Sequence, residues 1–153
     1  MDPSQLLTVA GVLPSLRVAS KKALLAELCG KAAELTAVAE RDIVEAVTRR
    51  ERLGSTGVGR GIAIPHGKVA GSTRIQGVFA RLERPIPFES LDGEPVDLAF
   101  LLIGPESAGA EHLKALASVA RLLRDPAVTS GLRFARDAST ILDIMNARTS
   151  RAA

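Results

Sequence analysis

The run VDLAFLLI, Val96 to Ile103, is apolar at every position except Asp97 and is stopped by Gly104 and Pro105. It is far too short to cross a membrane and has the length of a strand. Successive side chains leave a strand in opposite directions, so a strand that is apolar at odd and even positions alike must be covered on both faces. Helices have to provide that cover.

The sequence contains them. Ser20 is placed to cap a helix from about Lys21, in which Leu24, Leu25, Leu28, Ala32 and Leu35 recur at three- or four-residue spacing. A second helical pattern starts near Glu40, carries Ile43, Val44 and Val47, and ends before Gly54. A third begins between Ser107 and Ala110, with Leu113, Leu116, Ala117, Ala120 and Leu123 as its stripe. Ala127 to Phe134, preceded by Pro126, and Ser139 to Met145, capped by Ser139, read as two short helices, and the tail from Asn146 reads as frayed. Ile62 to Ile64 and Ile75 to Leu82 add two strands; Pro85 and Pro87 end the second, and Gly77 marks a bulge or a close approach within it. Leu6 to Leu16, broken by Gly11 and Pro14, predicts packing and nothing more specific. Strands alternating with helices predict an α/β sandwich with helices on both faces, and the 153 residues fit one domain.

Several functional classes are disfavoured. No apolar run is long enough for membrane insertion, no basic-then-apolar secretion signal opens the chain, and the single cysteine, Cys29, lies on an apolar helical pattern as a core residue. A reducing, cytoplasmic setting is expected. Residues 41 to 74 carry seven Arg or Lys against three acids, whereas residues 81 to 111 carry seven acids against two arginines. Such a basic patch draws anions or an acidic partner. Nucleic acid is not expected, because four Phe and no Tyr or Trp leave few stacking platforms and no binding motif is present.

The chemistry concentrates in GSTGVGRGIAIPHG, Gly54 to Gly67. Pro65 holds Ile64 extended and withholds a backbone donor, which places His66 just beyond a strand end. Gly67 keeps side-chain bulk away from the imidazole, so an incoming group can approach one ring face, as a nucleophile requires. Arg49, Arg50 and Arg52 crowd the end of the preceding helix, where the dipole favours positive charge, and charge alone does not rank them as an anion clamp. His112, the other histidine, lies in the first turn of a helix that follows a strand, where unpaired backbone donors favour anions. No metal is expected: a zinc site would need a third ligand from Asp92, Asp97, Glu106 or Glu111, and no close ligand spacing exists. The glycines lack a P-loop ending and the GxGxxG signature, and there is no GxSxG, so nucleotide cofactors and acyl-transfer hydrolysis are also disfavoured.

TRRERLGSTGVGRGIAIPHGKV (Thr48 to Val69), LDGEPVDLAFLLIGP (Leu91 to Pro105) and EHLKALASVARLL (Glu111 to Leu123) resemble, in content and order, the IIA domains of the phosphotransferase system, fructose and mannitol superfamily. The likeness spans about residues 5 to 147 and is strongest to the nitrogen-regulatory branch. The resemblance implies a three-layer α/β sandwich around a mixed sheet, a phosphorylatable His66, a second active-site histidine at His112 and an anion clamp at Arg50, without a cofactor. It implies an HPr-like phosphocarrier of the nitrogen branch as donor and a protein target that reads the phosphorylation state. The alternatives are a sugar-type IIA passing the group to a IIB domain, and a protein-binding module that is never phosphorylated. One departure stands out: where nitrogen-regulatory members can carry another histidine two positions beyond His112, this chain has Lys114. That removes a titratable ring from the later position and leaves the phosphoacceptor untouched. No transporter domain accompanies these segments, which favours the regulatory expectation.

Overall fold

Val96–Gly104 forms β6, the strand around which the computed structural model, describing residues 3–152, is built. Its side chains divide as the sequence requires. Leu98, Phe100 and Leu102 enter one core and Ala99, Leu101 and Ile103 the other, all fully buried. Each large apolar side chain buried in this way stabilises the fold by about 1.5–3 kcal/mol.

The other strands are β1 (Val12–Leu16), β2 (Gly57–Gly59), β3 (Ile62–Ala63), β4 (His66–Lys68) and β5 (Gln76–Ile86). The order is β1-β5-β6-β3-β2, with β4 also pairing β6. The sheet is mixed, as β6 runs antiparallel to β5 and parallel to β3 and β4. Helices α1 (Lys21–Thr36) and α2 (Glu40–Leu53) cover one face; α3 (Gly109–Arg124), α4 (Pro126–Phe134) and α5 (Ala138–Ala152) cover the other. This is the expected three-layer α/β sandwich.

Several local expectations hold and others need correction. The Ser20 hydroxyl accepts from Ala23 N at 3.1 Å, and Cys29 is buried in the core, where burial pushes its thiol up to about 12. The irregular Leu6 to Leu16 segment yields a real edge strand, β1, because its backbone pairs in parallel with β5. Pro85 does not end β5; it falls where the ladder to β6 shifts register between Arg81 and Ile86, a place that tolerates a missing donor. Asp137, not Ser139, caps α5, accepting from Thr140 N at 2.8 Å, and that helix continues through the expected frayed tail to Ala152. The α3 stripe is rotated from the expected one: Ala115, Val119, Leu122 and Leu123 are buried, whereas Leu113 is 69% exposed.

Gly77 is a close approach. A Cβ there would lie 2.6 Å from Phe100 Cε1 and 3.0 Å from the carbonyl oxygen of Leu6, which accepts Gly77 N–H at 2.7 Å. Gly77→Ala is expected to cost about 1–3 kcal/mol by overpacking, read as a lower urea midpoint with an unchanged slope. An unchanged midpoint would show that the ring gives way freely.

Candidate functional site

The backbone of β3 and β4 is a single line along the edge of β6. Ile62 pairs Leu98, Ala63 pairs Ala99, His66 pairs Leu102 and Lys68 pairs Gly104, with the register constant across the gap. The gap is Ile64-Pro65, where Pro65 has no N–H to offer. His66 therefore opens a resumed strand; it does not lie beyond a strand end. Gly67 likewise has a different use from the expected one. It is not among the positive-φ glycines, and a Cβ on it would lie 3.2 Å from backbone atoms of Ala46 and Val47. Its bare backbone lets α2 sit directly on β4.

The interruption orients the imidazole. Ile64 N–H donates to Thr56 O at 3.0 Å, and the Ile64 carbonyl lies 2.9 Å from His66 Nδ1. A carbonyl only accepts, so Nδ1 carries the proton and Nε2 keeps the lone pair. Burial lowers the pKa of His66, helped by the positive charge of Arg50; the Ile64 hydrogen bond and the negative charge of Glu51 oppose that shift. The net direction favours the neutral, nucleophilic ring.

His112 heads the buried stripe of α3 and is only 2% exposed. Its ring lies 6.0 Å from that of His66, centroid to centroid, and neither ring nitrogen has a hydrogen-bond partner among the described residues. Two unsatisfied buried polar atoms are costly in a native core. Burial, with His66 and Lys68 nearby, lowers its pKa to about 4. Gly104 makes room for it, since a Cβ there would lie 3.3 Å from His112 Nδ1.

Both rings open into a cleft of about 460 Å³ between α2 and α3. Its walls also carry Arg49, Arg50, Lys68 and the apolar Ala46, Leu53, Leu113 and Leu116. The structure sets one of the three arginines apart. Arg52 lies on another surface of α2, whereas Arg49 and Arg50 both line the cleft, Arg49 paired with Glu45 at 2.6 Å and Arg50 with Nη1 donating to Gly54 O at 2.8 Å. That bond leaves the other guanidinium donors of Arg50 for an anion.

Sequence reasoning missed two groups here. Lys68 shares the exposed side of β4 with His66 at an i, i+2 spacing, a signal that strand alternation makes readable. Glu51, by contrast, looks like a surface helix residue beside Arg50, yet its side chain is 5% exposed and takes Lys21 at 2.9 Å. Two of the four acids named as possible metal ligands have other uses: Asp92 accepts from Arg60 N and Glu94 N, and Asp97 pairs with Arg133 at 2.8 Å. Among the described residues no group of three His, Cys, Asp or Glu is arranged to hold a metal ion.

A mixed-sheet sandwich with two histidines facing each other across a basic cleft defines a class that the comparisons identify. The family model of the phosphoenolpyruvate-dependent sugar phosphotransferase system, EIIA 2, matches residues 5–148. The chain belongs to this EIIA type-2 family, in its nitrogen-regulatory branch. The nitrogen regulatory protein of Bradyrhizobium diazoefficiens is 54% identical over 145 residues, 95% of each chain. That of Escherichia coli (strain K12) is 41% identical over 127 residues, 82% of this chain and 78% of its own. The crystal structure of nitrogen regulatory protein IIA-Ntr from Neisseria meningitidis matches with a TM-score of 0.88 at 34% identity, over 93% of this chain and 97% of that one. No helix among the described residues is long and apolar enough to cross a membrane.

Proposed function

We propose that this chain is a phosphohistidine relay of the nitrogen branch, which takes a phosphoryl group from an HPr-like phosphocarrier onto Nε2 of His66 and regulates protein targets by phosphorylation state. The observation that carries this reading is the Nδ1–H bond to the Ile64 carbonyl, which leaves Nε2 as the nucleophilic nitrogen.

The Nε2 lone pair attacks the phosphorus of the carrier's protonated phosphohistidine. The P–N bond to the carrier ring breaks, and that ring leaves neutral with the electron pair. Nδ1 keeps its proton against Ile64 O, so the positive charge acquired by the ring stays hydrogen-bonded. Arg50 meets equatorial oxygens from α2 with its free donors, and a ring N–H of His112 meets them from α3. Lys68 adds a further positive charge at the cleft. This step requires neither a nucleotide nor a metal.

The rim supports docking of a protein donor. Leu53 and Leu113 are 82% and 69% exposed beside the cleft, next to basic side chains. Phosphorylation places roughly two negative charges among those groups, changing the surface offered to a partner. The test compares charging by phosphorylated nitrogen-branch carrier and by sugar-branch HPr, then adds sugar-specific IIB domains. Faster charging by the nitrogen-branch carrier, no productive transfer to IIB and state-dependent capture of another protein are expected. Rapid transfer onward to a IIB domain would instead establish the sugar-type relay, and charging by neither carrier would leave a passive binding module.

A further inference from the structure

We propose that Glu51 and Thr56 are positioning residues that set the tautomer and orientation of the His66 ring through a continuous line of hydrogen bonds. The line starts at Lys21, whose ammonium meets the Glu51 carboxylate at 2.9 Å. Glu51 accepts from the Thr56 backbone N–H at 3.2 Å on each oxygen and from the Thr56 hydroxyl. The carbonyl of Thr56 accepts Ile64 N–H at 3.0 Å, and the carbonyl of Ile64 accepts His66 Nδ1–H at 2.9 Å.

Burial makes this line stiff. Thr56 is 5% exposed, as is the Glu51 side chain, so both sit where an unsatisfied polar group is costly and each bond is hard to exchange for water. Between the ladder partners of Ala63 and His66, the sheet holds the break through Leu102 N–H to Pro65 O at 3.0 Å, and Thr56 holds Ile64 from the other side. Without the carboxylate, residue 56 loses its anchor to α2, and the Ile64 carbonyl is no longer held towards Nδ1. The ring then populates the Nε2–H form, in which the attacking nitrogen has no free lone pair.

The inference draws its kinetic consequence from the phosphoacceptor reading, but the tautomer is read without phosphate. In the unphosphorylated protein at pH 8, nitrogen-15 shifts of His66 are expected to show one Nδ1–H tautomer. Glu51→Leu, which removes both acceptors of residue 56, should give a mixture and lower kcat for phosphoryl transfer about 10- to 100-fold, with KM for the carrier unchanged; Glu51→Gln, which keeps one acceptor, and Thr56→Val, which loses only the hydroxyl bond, should give a smaller share of the second tautomer. Thr56→Ser, which retains the hydroxyl, should keep the single tautomer. Should Glu51→Leu fail to fold, Glu51→Gln and Thr56→Val decide together. A pure Nδ1–H ring in the folded variants, or a mixture already present in the parent protein, would overturn the proposal. Failure of the parent protein to charge would overturn the relay reading and leave the tautomer result standing.

Discussion

Replacing His66 with alanine is expected to abolish stoichiometric phosphoryl uptake from a charged carrier. His66 is half-buried at the start of β4, held through Nδ1, and its Nε2 keeps a lone pair because burial lowers the pKa. His112, the other imidazole, is only 2% exposed, so an incoming carrier does not reach it in the same way. Acid-labile, base-stable label should appear once per chain in the parent protein and vanish in His66→Ala. Label that persists at full stoichiometry would move the acceptor elsewhere. The pH dependence follows from the lowered pKa. Protonated His66 cannot attack, so on the acid side uptake should fall at a lower pH than for an ordinary histidine of pKa 6.5.

The second large effect is expected at His112, with a related one at Arg50. Removing one preorganised donor aimed at developing charge costs about 10²–10³-fold in rate, so His112→Ala should slow transfer on that scale and shorten the lifetime of phospho-His66. Arg50→Ala should act in the same direction and more weakly, because Arg50 is only half-buried and its bond to Gly54 O is open to solvent screening. Unchanged rates and lifetimes in both folded variants would reduce these residues to packing and surface charge.

A titration isolates His112. Its pKa in the folded protein, about 4, lies below its ordinary 6.5, so its contribution to stability is complete above pH 6.5 and is lost as the pH falls towards 4. His112→Ala should therefore lose less stability across that window than the parent protein does. Phosphorylation of His66 puts a dianion beside a ring whose centroid is 6.0 Å from its own, which should raise the titration of His112 from about 4. A titration that does not move on phosphorylation would separate the two rings electrostatically.

The α/β layering was readable because its causes are local in sequence. A strand apolar on both faces needs two covers, and spaced leucines with a Ser20 cap make a helix in almost any context. The errors share a different cause. β1 was invisible because its strand character comes from pairing with β5, not from its own alternation. Period alone fixes the width of an apolar stripe and not its rotation, and in α3 His112 takes a buried position while Leu113 faces the cleft rim. The need for Gly67 arises from the close packing of α2, which no single-chain motif states.

By itself the sequence determined the sandwich, the two histidines and the excess of positive charge near His66, since composition, periodicity and motif resemblance all act along the chain. Arg50 stood apart from its neighbours only through resemblance. Tertiary structure decided that Arg52 lies away from the cleft while Arg49 and Arg50 line it, that Lys68 and His112 meet there, and which nitrogen of His66 is free. Those outcomes depend on the direction of one carbonyl at the Ile64-Pro65 break and on a buried Glu51 reaching Thr56. Hydrogen-bond direction and burial are properties of neighbours brought together by folding, so they enter only once the sheet and α2 have packed.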